Sequence, residues 1–173
     1  MTARTSSISI YSEIARESFD RIVALEPKKR TIEASLLNVI IPDEKMPLEF
    51  ELMNIDIELA KLASITIVFA MISVEAYVYD YAARHLKDSF VKKYIDKLDP
   101  LSKWVIVPKL ITGKELPRGG EWFQLLKNLV RERNSIIHSK SSEAPYTIED
   151  FNKYAERQKE AQTGFFQKSK RSH

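Results

Sequence analysis

One cluster in the chain combines residue types that do chemistry: Arg131-Glu132-Arg133-Asn134-Ser135-Ile136-Ile137-His138-Ser139-Lys140. Histidine exchanges protons near neutral pH, and arginine holds anions through a planar fork of N–H donors. At about 100° per residue, Asn134 and His138 stack one turn apart on one face of a helix. Arg133 sits about 140° round from His138, but its long side chain can sweep back toward the same face. It also falls on the apolar stripe, between Leu129 and Ile137. A guanidinium there is costly unless it is paired or opens into a cavity. A plainer arrangement fits the same residues: His138 favoured by the negative end of the helix dipole, and Arg133 carrying its head to water. Spacing alone leaves both open.

Glu75 is the second residue of interest, because it ends the uncharged run Leu62 to Val74 on a helix that is otherwise apolar all round. Buried charges are usually paired, so Glu75 is expected to meet Arg133 or another cation. His85, in Ala83-Arg84-His85-Leu86-Lys87, reads as a solvated helix end, and His173 is terminal. Tyr77, Tyr79 and Tyr81 could stack bases, but tyrosines at that density on a buried helix are more often core or interface. Lys92, Lys93, Lys97 and Lys103 could attract phosphate, or form an ordinary solvated face. The chain has no cysteine and only three histidines. Disulfides, thiolate catalysis and cysteine-ligated metal are therefore out, and a histidine-rich metal site is not expected. No cofactor is expected either.

The elements that would position these residues read as helices. Glycine is almost absent, with none before Gly113, which argues against an all-β domain or a glycine-cradled nucleotide site. Ile14, Phe19, Ile22, Val23 and Leu25 suit a helix over about residues 8–25, closed by Pro27. Ile32, Leu36, Leu37, Ile40 and Ile41 suggest a shorter second helix, and Pro42 with Pro47 brackets a polar loop at Asp43–Lys45. Leu48 to about Lys87 reads as one long helix or two joined end to end. Its middle, Ala63 to Ala83, is apolar on nearly every face, as in a helix surrounded by protein. The β-branched run Ile65-Thr66-Ile67-Val68 is also compatible with a buried strand, and helix is favoured because the pattern continues both ways with no turn residue. A short helix follows through Phe90, Tyr94, Ile95 and Leu98, then an ambiguous stretch, Leu101–Ile111, interrupted by Pro108. Trp122 to about Ser139 is helical, and a last helix opens at Thr147-Ile148-Glu149-Asp150, a Thr-x-x-Asp cap.

Arg133-Asn134-Ser135-Ile136-Ile137-His138 resembles the signature of the HEPN superfamily, all-α proteins marked by Arg, four to six residues, then His. Two further segments resemble that family. Ser73-Val74-Glu75-Ala76-Tyr77-Val78-Tyr79-Asp80-Tyr81 is similar to its central helix. Lys103 to Gly113, then Phe123-Gln124-x-Leu126-Lys127-x-Leu129-x-x-x-Arg133-Asn134, is similar to the run-in to its motif helix. The similarity covers about residues 60–140. It implies a helical bundle that dimerises so that two Arg–His motifs face one shared cleft. Many members are metal-independent endoribonucleases, often toxins or defence proteins, and others are non-catalytic modules that bind RNA or a protein partner. In the ribonuclease chemistry His138 exchanges a proton with a 2′-hydroxyl or a leaving oxygen, and Arg133 neutralises the phosphate. Asn134 orients His138 or contacts the phosphate, while Glu75 lines the cleft and positions Arg133 or His138. Toxins modified by a partner nucleotidyltransferase carry Tyr two residues after the His. Lys140 stands there in this chain, which speaks against that partnership.

Composition sets the frame for these expectations. A chain of 173 residues, 44% hydrophobic and 29% charged, fits one globular domain. Its net charge of +3 is too small to announce a nucleic-acid or membrane binder. Residues 1–13 lack the apolar segment of a signal peptide, and the 13 residues of Leu62–Val74 are too few to span a bilayer. The expectation is a cytoplasmic, all-α bundle of five to seven helices over residues 1–168, with a basic tail at 169–173. It is expected to form a homodimer around its motif helices, with RNA and an antitoxin or other protein as further partners and no membrane association.

Overall fold

The computed structural model describes residues 7–138. The helix expected from Thr147 and the basic tail lie outside the described residues. Among the described residues there are five α-helices and no strand. They are α1 (Ile8–Asn38), α2 (Pro42–His85), α3 (Asp88–Phe90), α4 (Pro100–Thr112) and α5 (Glu121–Ile137), and α3 runs on into a turn of π-helix at Val91–Ile95.

Helices α1 and α2 form a long antiparallel hairpin. Tyr11 meets Phe69 with ring centroids 6.1 Å apart, Arg21 pairs with Glu58 at 2.7 Å, and Lys28 pairs with Glu51 at 2.8 Å. Ala15, Ser18 and Ile32 of α1 and Ile55 and Leu62 of α2 are buried in this pairing. The hairpin corrects two expectations. Pro27 lies inside α1 rather than after it, and the two short helices expected there are one. A proline inside a helix removes one backbone hydrogen bond and costs about 3 kcal/mol when nothing offsets it. Here Arg21–Glu58 precedes Pro27, Lys28–Glu51 and Lys29–Asp56 follow it, and Ile32 is buried beyond it, so contact with α2 holds the helix together on both sides. The Thr31 hydroxyl also donates to the Pro27 carbonyl at 3.0 Å. Likewise the Asp43–Lys45 segment is no loop. Pro42 occupies the first turn of α2, where a missing N–H costs nothing, and Asp43 and Glu44 complement the positive end of the helix dipole. The chain turns at residues 39–41 instead.

Helix α2 is continuous over 44 residues, about 66 Å long, and Ile65–Val68 is helical within it. An 18-residue stretch of α2 is long and apolar enough to cross a membrane, and 17% of that stretch is buried. The core helix of a bundle can be as long and as apolar but is mostly buried, so the expectation of a segment surrounded by protein is not met over this stretch.

The C-terminal half of α2 carries two core clusters. Val78, Ala82 and Ala83 pack with Val91, Ile95 and Val107, joining α2 to the π-helical turn and α4. Met71 packs with Phe123 and Leu126, joining α2 to α5. The ambiguous stretch resolves as α4. Asp99 caps it by accepting the Ser102 N–H at 3.0 Å, Pro100 stands in its first turn, and Gly113 ends it at φ +72°, where a side chain would be strained. These hydrogen bonds, from Ser102 first, hold the Asp99 carboxyl below the usual carboxylate range.

Candidate active site

Helix α5 is seated at its first two turns. Phe123 and Leu126 are buried against Met71, and Trp122 tilts onto Trp104 with centroids 6.2 Å apart. Gly120 stands before it, with the room for a Cβ already taken by the Trp122 ring at 3.1 Å. The Arg–Asn–His residues lie beyond that seat, on the last turns of the helix. Arg131 turns to its neighbour Glu132, donating from Nε and Nη2 at 2.9 and 2.7 Å, and is drawn away from the other three.

Asn134 bonds the Arg133 side chain and, through its backbone, makes the ordinary helical bond to His138. Its side-chain oxygen accepts from Arg133 Nη1 at 3.0 Å, and its backbone carbonyl accepts the His138 N–H at 2.9 Å. His138 ends the helix at φ −103° and ψ 16°, with its side chain exposed. Arg133 is half-buried, so the cost of a guanidinium on the apolar stripe is met by the Asn134 hydrogen bond and by partial access to water. Asn134 and His138 are exposed at this end of α5 and Arg133 is half-buried. The two described depressions are elsewhere: one of about 440 Å³ along α2 beside Met53 and Ile57, and one of about 520 Å³ between Ile8 and Tyr77.

Glu75 meets a different cation from Arg133. Its Oε1 accepts from Lys103 Nζ at 3.3 Å, with the Lys103 side chain 9% and the Glu75 side chain 25% exposed. Lys103 is therefore a buried partner across the α2–α4 contact and no part of a surface patch with Lys92, Lys93 and Lys97. The signal was present in the sequence: Lys103 precedes Val107 and Ile111 at four-residue steps, on the buried face of α4. Pro108 hid it by making the helix doubtful.

The other candidates are structural or solvated. Tyr77 stacks on Trp104 at 5.9 Å and 7°, and Tyr79 and Tyr81 pack against the core. His85 closes α2, exposed, with its ring 4.7 Å from that of Tyr81. Lys92 pairs with Asp88, and Lys93 lies over the Tyr94 ring. Among the described residues, no group of three or more histidine, aspartate or glutamate side chains is placed to hold a metal ion. Comparison of the chain with protein-family models, curated proteins and solved structures returns no match.

Proposed function

We propose that this chain is a metal-independent endoribonuclease of the HEPN type, acting in the cytoplasm as a homodimeric toxin or defence effector. The observation that carries the reading is the placing of Arg133, hydrogen-bonded to Asn134, and of an exposed His138 on the last turns of α5 in an all-helical bundle. In the reaction, the Arg133 fork binds the scissile phosphate. His138 takes the proton from the neighbouring 2′-hydroxyl or supplies one to the leaving 5′-oxygen. A bond forms between the 2′-oxygen and phosphorus as the bond to the 5′-oxygen breaks. The products carry 2′,3′-cyclic phosphate and 5′-hydroxyl ends. Asn134 sets the Arg133 guanidinium and the backbone turn at His138. Glu75, engaged with Lys103, supports the seat of α4 rather than gripping Arg133.

The test is cleavage of single-stranded RNA by purified protein in excess EDTA. His138→Ala should lose about 10²–10⁴-fold in rate, the usual worth of a positioned acid–base group. Arg133→Ala should lose a comparable amount, and Arg133→Lys should recover little, because an ammonium cannot make the same two-point contact. His85→Ala should leave the rate unchanged. Wild-type protein inert on varied RNAs, or a folded His138→Ala variant with full activity, would replace this reading with that of a non-catalytic module binding RNA or a protein partner.

A further inference from the structure

Met46, Phe50, Met53, Ile57 and Ala60 follow one another at alternating four- and three-residue steps along α2. That spacing confines them to a strip about 80° wide, opposite the buried Ile55. Farther along the helix the strip continues into Met71, Val78 and Ala82, which are buried in the two core clusters. Upstream it is bare: Met46 is 65%, Phe50 61%, Met53 48% and Ile57 47% exposed. Glu49 and Asp56, seven residues apart, border the strip on one side, and with Met53, Ile57 and Ala60 they line the shallow groove of about 440 Å³. Asp43 stands on the other border, where Lys61 leans toward Glu58 at 4.0 Å. From Pro42 to Glu58 α2 carries six carboxylates and one cation, Lys45, in a chain whose net charge is +3. Arg21, Lys28 and Lys29 of α1 answer Glu58, Glu51 and Asp56. Asp43, Glu44 and Glu49 remain exposed, with Lys45 3.3 Å from Glu49.

We propose that the strip docks an amphipathic helix of a different protein, one whose apolar seam is flanked by lysine or arginine. The proposal stands apart from the ribonuclease reading. Three observations select the occupant. The strip offers side chains only, because the backbone groups of α2 are bonded within the helix, so an extended segment laid there would find no N–H or C=O to pair with. A helix arrives with its own backbone bonds closed, and its seam repeats at the same three- and four-residue steps. Charge sets the sign of the flanks. RNA phosphates or an anionic lipid surface would meet Asp43, Glu44 and Glu49, and a second copy of the chain would bring the same carboxylates to the seam. Cations seven residues apart on an incoming helix match the spacing of Glu49 and Asp56 instead. The Lys45–Glu49 pair is exposed and adjacent on one helix, so it is worth too little to bar the exchange. The third observation is the pair of methionines, Met46 and Met53, whose unbranched thioethers repack around a seam of unlike sequence.

The probes are two dye-labelled synthetic peptides of about 18 residues, long enough to lie along the whole strip. Both carry the same leucine seam, flanked by lysine in one and by glutamate in the other. Fluorescence anisotropy against the full chain should give the lysine peptide a Kd of about 10 μM, as suits a small interface. The glutamate peptide should bind at least about tenfold more weakly, and the gap should narrow in about 0.5 M salt. Phe50→Ala should weaken the lysine peptide about tenfold, a common loss at a central aromatic contact, with helicity by circular dichroism unchanged. Glu49→Lys should weaken the lysine peptide and strengthen the glutamate peptide, each by about two- to fivefold. A substitution that merely disturbed the fold would weaken both. Any of four results would overturn the proposal. They are equal affinity for the two peptides or none for either, a Phe50→Ala chain that binds the lysine peptide as the wild type does, Glu49→Lys shifting both peptides the same way, and a strip with another occupant. The last would show as a dimer, or as pelleting with phosphatidylglycerol vesicles, that Phe50→Ala abolishes and the lysine peptide does not.

Discussion

From Met71 to Ala82 the strip of α2 is roofed by α4, α5 and the π-helical turn, and Met71, Val78 and Ala82 are almost wholly shielded from water. From Met46 to Ile57 the same face of α2 (Met46, Phe50, Met53 and Ile57), with the same periodicity, is about half exposed. The two halves differ in what the rest of the chain brings to them. Residues 88–137 return to the C-terminal half, while α1 lies along the opposite side of α2 and reaches as far as Phe69. The same apolar face is thus roofed in one half and open in the other, and the path of the chain decides which.

Truncation separates the halves most sharply. Met71→Ala should lower unfolding free energy by about 2–5 kcal/mol, the range for emptying a closed core site, measured by urea denaturation. A loss under 1 kcal/mol would mean that the roof is loose. Breaking the charge pair beneath that roof comes next. Glu75→Leu strands the Lys103 ammonium and should cost about 2–4 kcal/mol, less than for a fully buried pair because Glu75 is one-quarter exposed. The double variant Glu75→Leu/Lys103→Met should regain most of that, and strictly additive losses in the cycle would show that the two do not act together.

Asp99→Ala should cost about 1 kcal/mol at pH 7 through loss of the α4 cap. The Asp99 carboxyl titrates below its unfolded value. Its stabilisation is complete above the ordinary carboxylate range, about pH 4, and is lost as pH falls through the folded value. The gap between wild type and variant should therefore close toward pH 2, and a gap that persists there would remove the charge from the explanation. Smallest of all is Met53→Ala, which should change stability by no more than about 0.5 kcal/mol, because Met53 is about half exposed. A loss as large as that of Met71→Ala would place this half in an internal core as well.

Local order was readable where it depends on neighbours a few residues away. The span of α5, the continuity of the long helix through Ile65–Val68 and the one-turn spacing of Asn134 and His138 all follow from 3.6-residue periodicity. Prolines misled where a partner helix outweighs them. Pro27 and Pro108 each remove a hydrogen bond, and each sits in a helix whose buried side chains, Ile32 of α1 and Val107 of α4, hold it against α2 or its neighbours. Lys103 looked like surface for the same reason.

By itself the sequence determined the all-helical class, the continuity of the long helix through Ile65–Val68 and the one-turn spacing of Asn134 and His138, because each rests on backbone geometry within one or two turns. Tertiary structure decided that Glu75 meets Lys103, 28 residues away, and not Arg133. It also decided which half of the α2 strip receives a roof. Both outcomes depend on which segments fold back across α2, and the free energy of that return is summed over many contacts that no single residue type or spacing encodes.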